Sequence, residues 1–127
     1  ENIWNRTDYS VITRVDYSLD NALRMRAGGD RAALGASLEL LKPLPQNYAV
    51  RFSLAQKRTE GREIFSPGFI NERRSQVRSM IGIALTKLLD SKTSLRLQIR
   101  KVINSENIEL FEYDNTVVKV SVLWDFR

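Results

Sequence analysis

Leu95-Arg96-Leu97-Gln98-Ile99-Arg100 alternates without interruption between an aliphatic and a long polar side chain. A period of two is that of a β-strand with one dry face and one wet face; as a helix the same residues would scatter around the circumference. The alternation recurs along the chain. Val118, Val120, Val122, Trp124 and Phe126 stand against Lys119, Ser121 and Asp125. Upstream, Val77, Ser79, Ile81, Ile83 and Leu85 face away from Gln76, Arg78, Gly82 and Thr86. Tyr48, Val50, Phe52 and Leu54 oppose Arg51, Ser53 and Lys57, and Ala32, Leu34, Ala36, Leu38 and Leu40 oppose Gly35, Ser37 and Glu39. A short segment sets Leu23, Met25 and Ala27 against Arg24 and Arg26. The first sets Tyr9, Val11, Thr13, Val15, Tyr17 and Leu19 against Arg14, Asp16 and Ser18.

One segment also fits a helix. Between Arg74 and Leu89, residues Val77, Met80, Ile81, Ala84, Leu85 and Leu88 satisfy a 3.6-residue period. The neighbouring segments, rich in Val, Ile, Tyr and Thr, do not tolerate that phase and favour strand. The spacing therefore predicts seven antiparallel strands in one domain spanning 1–127. Asp20-Asn21, Gly28-Gly29-Asp30, Pro43 to Gln46 and Leu89 to Thr93 are the short breaks, and 59–72 and 104–114 are the long loops.

Composition narrows the function. The chain has no cysteine and no histidine, which removes disulfides, thiolate and imidazole metal sites, and the Ser-His-Asp and Cys-His arrangements. The expectation is a protein that is not an enzyme and holds no cofactor or metal. Net charge is +5 with a pI near 9.8, a balance that favours polyanionic partners. No apolar run approaches the about 18–20 residues of a membrane helix, but barrel strands alternate and never show one.

The two faces differ in charge. None of the apolar positions named above is charged, although 28% of the chain is. The opposite face carries Arg14, Arg24, Arg26, Arg51, Lys57, Arg78, Arg96, Arg100 and Lys119, against Asp16, Glu39 and Asp125. Such a sheet fits a soluble sandwich, its dry face on a second sheet, or a transmembrane barrel, its dry face on lipid. Three features favour the barrel. Short links at 20–21, 43–46 and 89–93 alternate with long ones at 59–72 and 104–114, the link at 28–31 being the exception. Aromatic residues Tyr9, Tyr17, Tyr48, Trp124 and Phe126 stand near strand ends, as in an interfacial girdle. Several strands reach the about 9–11 residues of a tilted crossing. The expectation is an all-β, antiparallel up-and-down transmembrane β-barrel, of which about seven strands are seen and which is part of a larger barrel. Counting back from an inner C-terminus puts Glu1 on the outer side and has Tyr9 to Leu19 run inward, with upstream strands or partner chains completing the wall.

The ending, Lys119-Val-Ser-Val-Leu-Trp-Asp-Phe126, resembles the terminal signal that bacterial outer-membrane barrels present to their insertion machinery. Lys119, Trp124 and Phe126 match that pattern; Ser121 replaces its glycine and Arg127 follows the terminal aromatic. The stretch Asn104 to Thr116, entering the last strand, is similar to the final loop of large barrels that follow tetratricopeptide repeats. Pel-type exopolysaccharide-export porins and surface lipoprotein assembly modifiers are of this kind. Glu1-Asn2-Ile3 leading to Asp8-Tyr9 repeats the phrase. The resemblance implies an outer-membrane porin or translocation barrel passing a polymer such as an exopolysaccharide, a solute or a protein.

The implied partners are outer-membrane lipid and lipopolysaccharide, the insertion machinery, and an anionic solute or polysaccharide drawn to a basic lumen; the alternative for that face is a ladder of its arginines with acids on strands not present here. The aromatics lie opposite the basic residues rather than among them, which argues against nucleic acid. Arg58, Arg62, Arg73 and Arg74, flanking the loop at 59–72, read as solvated charges, with lipopolysaccharide phosphates as the alternative. Glu106, Glu109, Glu112 and Asp114 read as a solvated acidic loop, with divalent-cation binding as the alternative. The second function class is a soluble β-sandwich module whose basic sheet grips a polyanion.

Overall fold

The computed structural model describes residues 1–6, 8–21, 27–66 and 68–124. Its strands are β1 (Asn2–Arg6), β2 (Tyr9–Asp20), β3 (Arg31–Leu44), β4 (Tyr48–Ser66), β5 (Ile70–Leu88), β6 (Thr93–Glu106) and β7 (Tyr113–Trp124), with one 3-10 turn at Glu109–Phe111. Each strand pairs antiparallel with its sequence neighbours, in the order β1 to β7. The result is one seven-stranded up-and-down sheet. It is not closed: β1 pairs only with β2, and β7 only with β6.

The helix alternative over Arg74 to Leu89 is excluded, since β5 is extended throughout. Seven strands were expected and seven are described, but not the same seven. Asn2–Arg6 is a strand, pairing with Tyr9 to Thr13. The expected segment Leu23 to Ala27 falls almost wholly on residues 22–26, outside the described residues. Tyr9 to Leu19 therefore runs the other way from the expected direction relative to the later strands, and Glu1 lies level with Arg14 in the middle of β2 rather than beyond the end of the sheet.

The long loops are shorter than the sequence suggested. β4 and β5 are 19 residues each, and β5 begins at Ile70, four positions after β4 ends at Ser66. The polar stretch 59–72 is mostly strand, with register shifts between Glu60 and Ile64 and between Ile64 and Ser66. At the tip Gly68 has φ +85° and its N–H donates to Asn71 Oδ1. Similarly β6 runs on to Glu106, leaving 107–112 as the connection to β7.

All described strands lie in one layer, so the described residues supply no second sheet to cover the apolar face. Val15, Tyr17, Leu34, Phe52, Leu54, Ile81, Ile83, Leu97, Ile99, Val118, Val120 and Trp124 are all exposed. Registers place them together: Leu38, Leu54 and Ile81 form one row, and Leu40, Phe52, Ile83, Ile99 and Val118 the next. The polar face is the less exposed one. On β6, Val102 is 4% exposed while its opposite-face neighbour Ile103 is 40% exposed. Ala33, Gly35, Gly82, Ala84, Asn104 and Glu106 are likewise buried on that side. The sheet thus curls toward its polar face and presents its apolar face outward.

The apolar band crosses the strands obliquely. On β2 it centres on Val15, which the register carries through Ala36, Gln56, Ser79 and Ile103 to Asp114 on β7. On β7 the band centres instead on Val120, six positions away. That offset is about 20 Å, at ~3.3 Å per residue, over five strand spacings of ~4.8 Å, or about 24 Å. The strands therefore lean about 40° from the normal to the band. Charges on the apolar face mark its rims: Lys42 and Lys87 toward the 45–47 and 89–92 turns, and Arg58, Glu60, Lys101 and Asp114 toward the other end.

Candidate functional site: the concave polar face

Side chains reach the concave face by strand parity alone, so register decides which residues share it. Seven of the nine expected basic residues do. Lys57 stands opposite Arg78, and Arg14 opposite Ser37. Arg51 lies in the row of Ala84, Gln98 and Lys119, Arg100 opposite Gly82, and Arg96 between Thr86 and Ser121. Arg24 and Arg26 lie outside the described residues. Arg31 and Arg74, which the periodicity did not assign, join the same face. So do the acids Glu1, Asp20 and Glu106. For Asp20, Arg31, Arg74 and Glu106 the signal was present in the parity of β2, β3, β5 and β6, but those strand ends were read as loop or turn.

The face is divided by charge. On the β1 to β4 side most cations have acidic partners. Arg14 pairs with Glu1 and also lies near Glu39 and Asp16. Arg51 pairs with Glu39 at 3.4 Å. A depression of about 240 Å³ opens between Ser18, Asp20, Arg31, Lys57, Thr59 and Arg78. Gly35 lets the Asp16 carboxylate lie over the β3 backbone; a Cβ there would stand 2.6 Å from Asp16 Oδ1 and push that side chain aside.

At the loop end, beyond the apolar band, Arg74 donates to Glu106 from Nε and from the guanidinium NH2 group, both at 2.6 Å. The Glu106 side chain is 0% exposed and that of Arg74 22%. The Arg74 guanidinium also lies 4.3 Å from the centroid of Phe111. Asn104 donates to Glu106 Oε1 and to the Phe111 carbonyl, and Gln76 donates to Asn104. Burial alone would raise the Glu106 carboxyl; the Arg74 and Asn104 hydrogen bonds outweigh it and hold the group below its ordinary value. This network pins the 107–112 connection onto β5.

Two loop assignments are corrected here. Arg74 is held by Glu106, so it is not a free contact for lipopolysaccharide, and Arg58 pairs with Glu60 at 2.7 Å on the convex side. The acidic loop is dispersed: Glu106 is taken by Arg74, and Asp114 pairs with Lys101 at 2.9 Å. Among the described residues no group of carboxylates is placed to hold a metal ion.

On the β6 to β7 side the cations stand without acids. Arg96, Arg100 and Lys119 surround Gln98, and their register neighbours are Thr86, Ala84, Gly82, Ser121 and Val117. The terminal pattern splits between faces: Lys119 and Ser121 are concave, Trp124 is convex and 64% exposed, and Phe126 lies outside the described residues. No known protein family, curated protein or solved structure matches the chain.

Proposed function

We propose that this chain is part of a transmembrane β-barrel of the bacterial outer membrane that passes a polymer, solute or protein. One observation carries the reading. The polar face is concave and partly buried while the apolar face is convex and open, the reverse of what water solubility requires. A wall with lipid outside and an aqueous lumen inside has this arrangement.

The oblique band supports the same reading. A lean of about 40° falls in the 35–45° range of barrel strands. From Tyr9 to Leu19 is about 33 Å along β2, or about 25 Å along the normal at that lean, the height of an outer-membrane apolar band. Lys42, Lys87 and Tyr48 would then sit at the interface, with the Lys87 ammonium 5.1 Å from the Tyr48 ring. Lipid and lipopolysaccharide are the partners of the convex face, and the insertion machinery that of β7. The open edges call for further strands.

The test is solubility. The protein should require detergent or lipid to be folded and monodisperse. A cooperatively folded, monodisperse protein in plain buffer would remove the barrel and favour a soluble polyanion-binding module whose apolar face is covered by another chain.

A further inference from the structure

Among the described residues, the concave face holds one cation cluster with no acidic neighbour in register. Arg96 and Arg100 are four residues apart on β6, and Lys119 of β7 is diagonal to both, since its register partner is Gln98. Diagonal neighbours of this kind stand about 7–8 Å apart, so three cations share one small area. Both arginines lie on a strand paired on each side, so their lateral neighbours are fully known: Thr86, Ala84 and Gly82 on β5, Ser121, Lys119 and Val117 on β7. None is acidic. The described acids of this face lie on or beside β1 to β3 and at Glu106, and Asp125, expected on the same face, lies outside the described residues. Among the described residues none of the three cations has an ion-pair partner.

The arginines are also incompletely satisfied. The Nε atoms of Arg96 and Arg100 are both buried and have no hydrogen-bond partner. A buried donor without an acceptor is costly, and on a guanidinium the natural acceptor is an oxyanion. The arginines' β5 neighbours on this face are small and themselves covered. Ala84 is 4% exposed, and at Gly82 a Cβ would stand 2.6 Å from Ser53 Oγ and 3.9 Å from Arg100 Cγ.

We propose that Arg96, Arg100 and Lys119 form an oxyanion-binding station on the concave face, which takes the phosphate or carboxylate groups of a polyanionic permeant. The guanidinium forks bind oxyanion pairs in bidentate fashion, and the Lys119 ammonium adds a mobile point charge. Lys57 and Arg78, side by side farther along the same face, provide a second contact for a chain of such groups. The inference rests on the concave face being a lumen, and its test is separable from that reading.

The experiment is titration calorimetry on the detergent-folded protein at low salt, with short linear polyphosphate and with polygalacturonate as probes. Folding of each variant is checked by heat-modifiable gel mobility. Arg96→Gln/Arg100→Gln/Lys119→Gln should weaken binding of both probes at least tenfold and flatten its salt dependence. Loss for one probe alone would identify whether phosphate or carboxylate is read. Lys42→Gln/Lys87→Gln/Lys101→Gln, which removes the same charge from the convex face, should change affinity less than twofold. Arg96→Lys/Arg100→Lys keeps the charge but loses the forks and should cost about threefold; it decides the matter should the triple variant not fold. No binding by the unaltered protein, an unaffected triple variant, or an equal loss from the convex-face control would overturn the station and leave the barrel standing. Folding and binding in plain buffer would overturn the barrel and leave the station.

Discussion

Ile83→Arg separates the two faces most directly. Ile83 lies on the convex face of β5, between Phe52 and Ile99 in register. Lys87, four residues along the same strand face, marks the turn-side rim. Four residues are about 13 Å along the strand, or about 10 Å along the normal at a 40° lean. A band about 25 Å tall has its midplane about 12.5 Å from that rim, so Ile83 lies within a few ångströms of it. Arginine there should cost about 3 kcal/mol, more than a hundredfold in the folding equilibrium constant. Ser18→Arg is the control on the concave face, where Ala33 is the register partner and Asp16 and Asp20 stand two residues away on the same strand face. It should cost under about 1 kcal/mol. Denaturant titration of the protein in phosphatidylcholine vesicles, followed by Trp4 and Trp124 fluorescence, measures both. Costs within 0.5 kcal/mol of each other, or in reverse order, would refute the assignment of the convex face to lipid.

Other consequences are as accessible. Trp4 and Trp124, both on the convex face, should be quenched by lipids brominated on their acyl chains, and quenching only by aqueous acrylamide would contradict that placement. Glu106→Gln should destabilise the loop end by about 2–3 kcal/mol, since it leaves the Arg74 guanidinium part-buried without its counter-ion; amide exchange across 107–112 would report it. Because the Glu106 carboxyl is held below 4.5, its ordinary value, the pair's contribution is complete at neutral pH. It should fade only as pH falls below about 4.5 toward the lowered folded-state value, and weakening that sets in near pH 6 would assign the effect to another group. Gly29→Ala should loosen the 27–30 connection, because φ is +59° and a Cβ would stand 2.4 Å from the Glu63 side chain; unchanged proteolysis at that connection would count against this. In the assembled protein every amide of β7 should exchange slowly, whereas a pattern of fast exchange at alternate residues would mean that the edge remains open.

Alternation made the strands legible wherever one face was dry, and only there. Leu95 to Arg100 and Val118 to Trp124 lie inside the apolar band, where parity is written into side-chain polarity. Thr59 to Ser66 and Ile70 to Glu72 lie beyond it, where both faces are wet and a strand carries no period, so an extended hairpin reads as loop. Asn2–Arg6 was hidden for a related reason. Ile3 and Trp4 are apolar on opposite faces, and five residues are too few to establish a phase. Seven of the nine basic residues were assigned to the right face, because parity fixes face. Pairing could not be read, since it depends on which strands are neighbours and by how much they are staggered. Glu106 meeting Arg74 spans 32 residues and follows from the β5 to β6 register.

The open edges bear on what surrounds the sheet. β1 covers β2 only from Tyr9 to Thr13, so on that side Arg14 to Asp20 present N–H and C=O groups to no partner strand. The outer edge of β7 does the same along its length. These edges flank side chains such as Val15, Tyr17, Val118, Val120 and Val122, which lie within the apolar band. In hydrocarbon each unsatisfied backbone group costs several kcal/mol, so two bare edges would cost far more than a protein's 5–15 kcal/mol of net stability. Bare edges could persist in water, where solvent satisfies those groups, but water is where the exposed convex face is least tolerable. The proposed barrel would answer both: further strands, from the same chain or from others, would pair the two edges, lipid would cover the convex face, and the cations beside β6 and β7 would face the lumen.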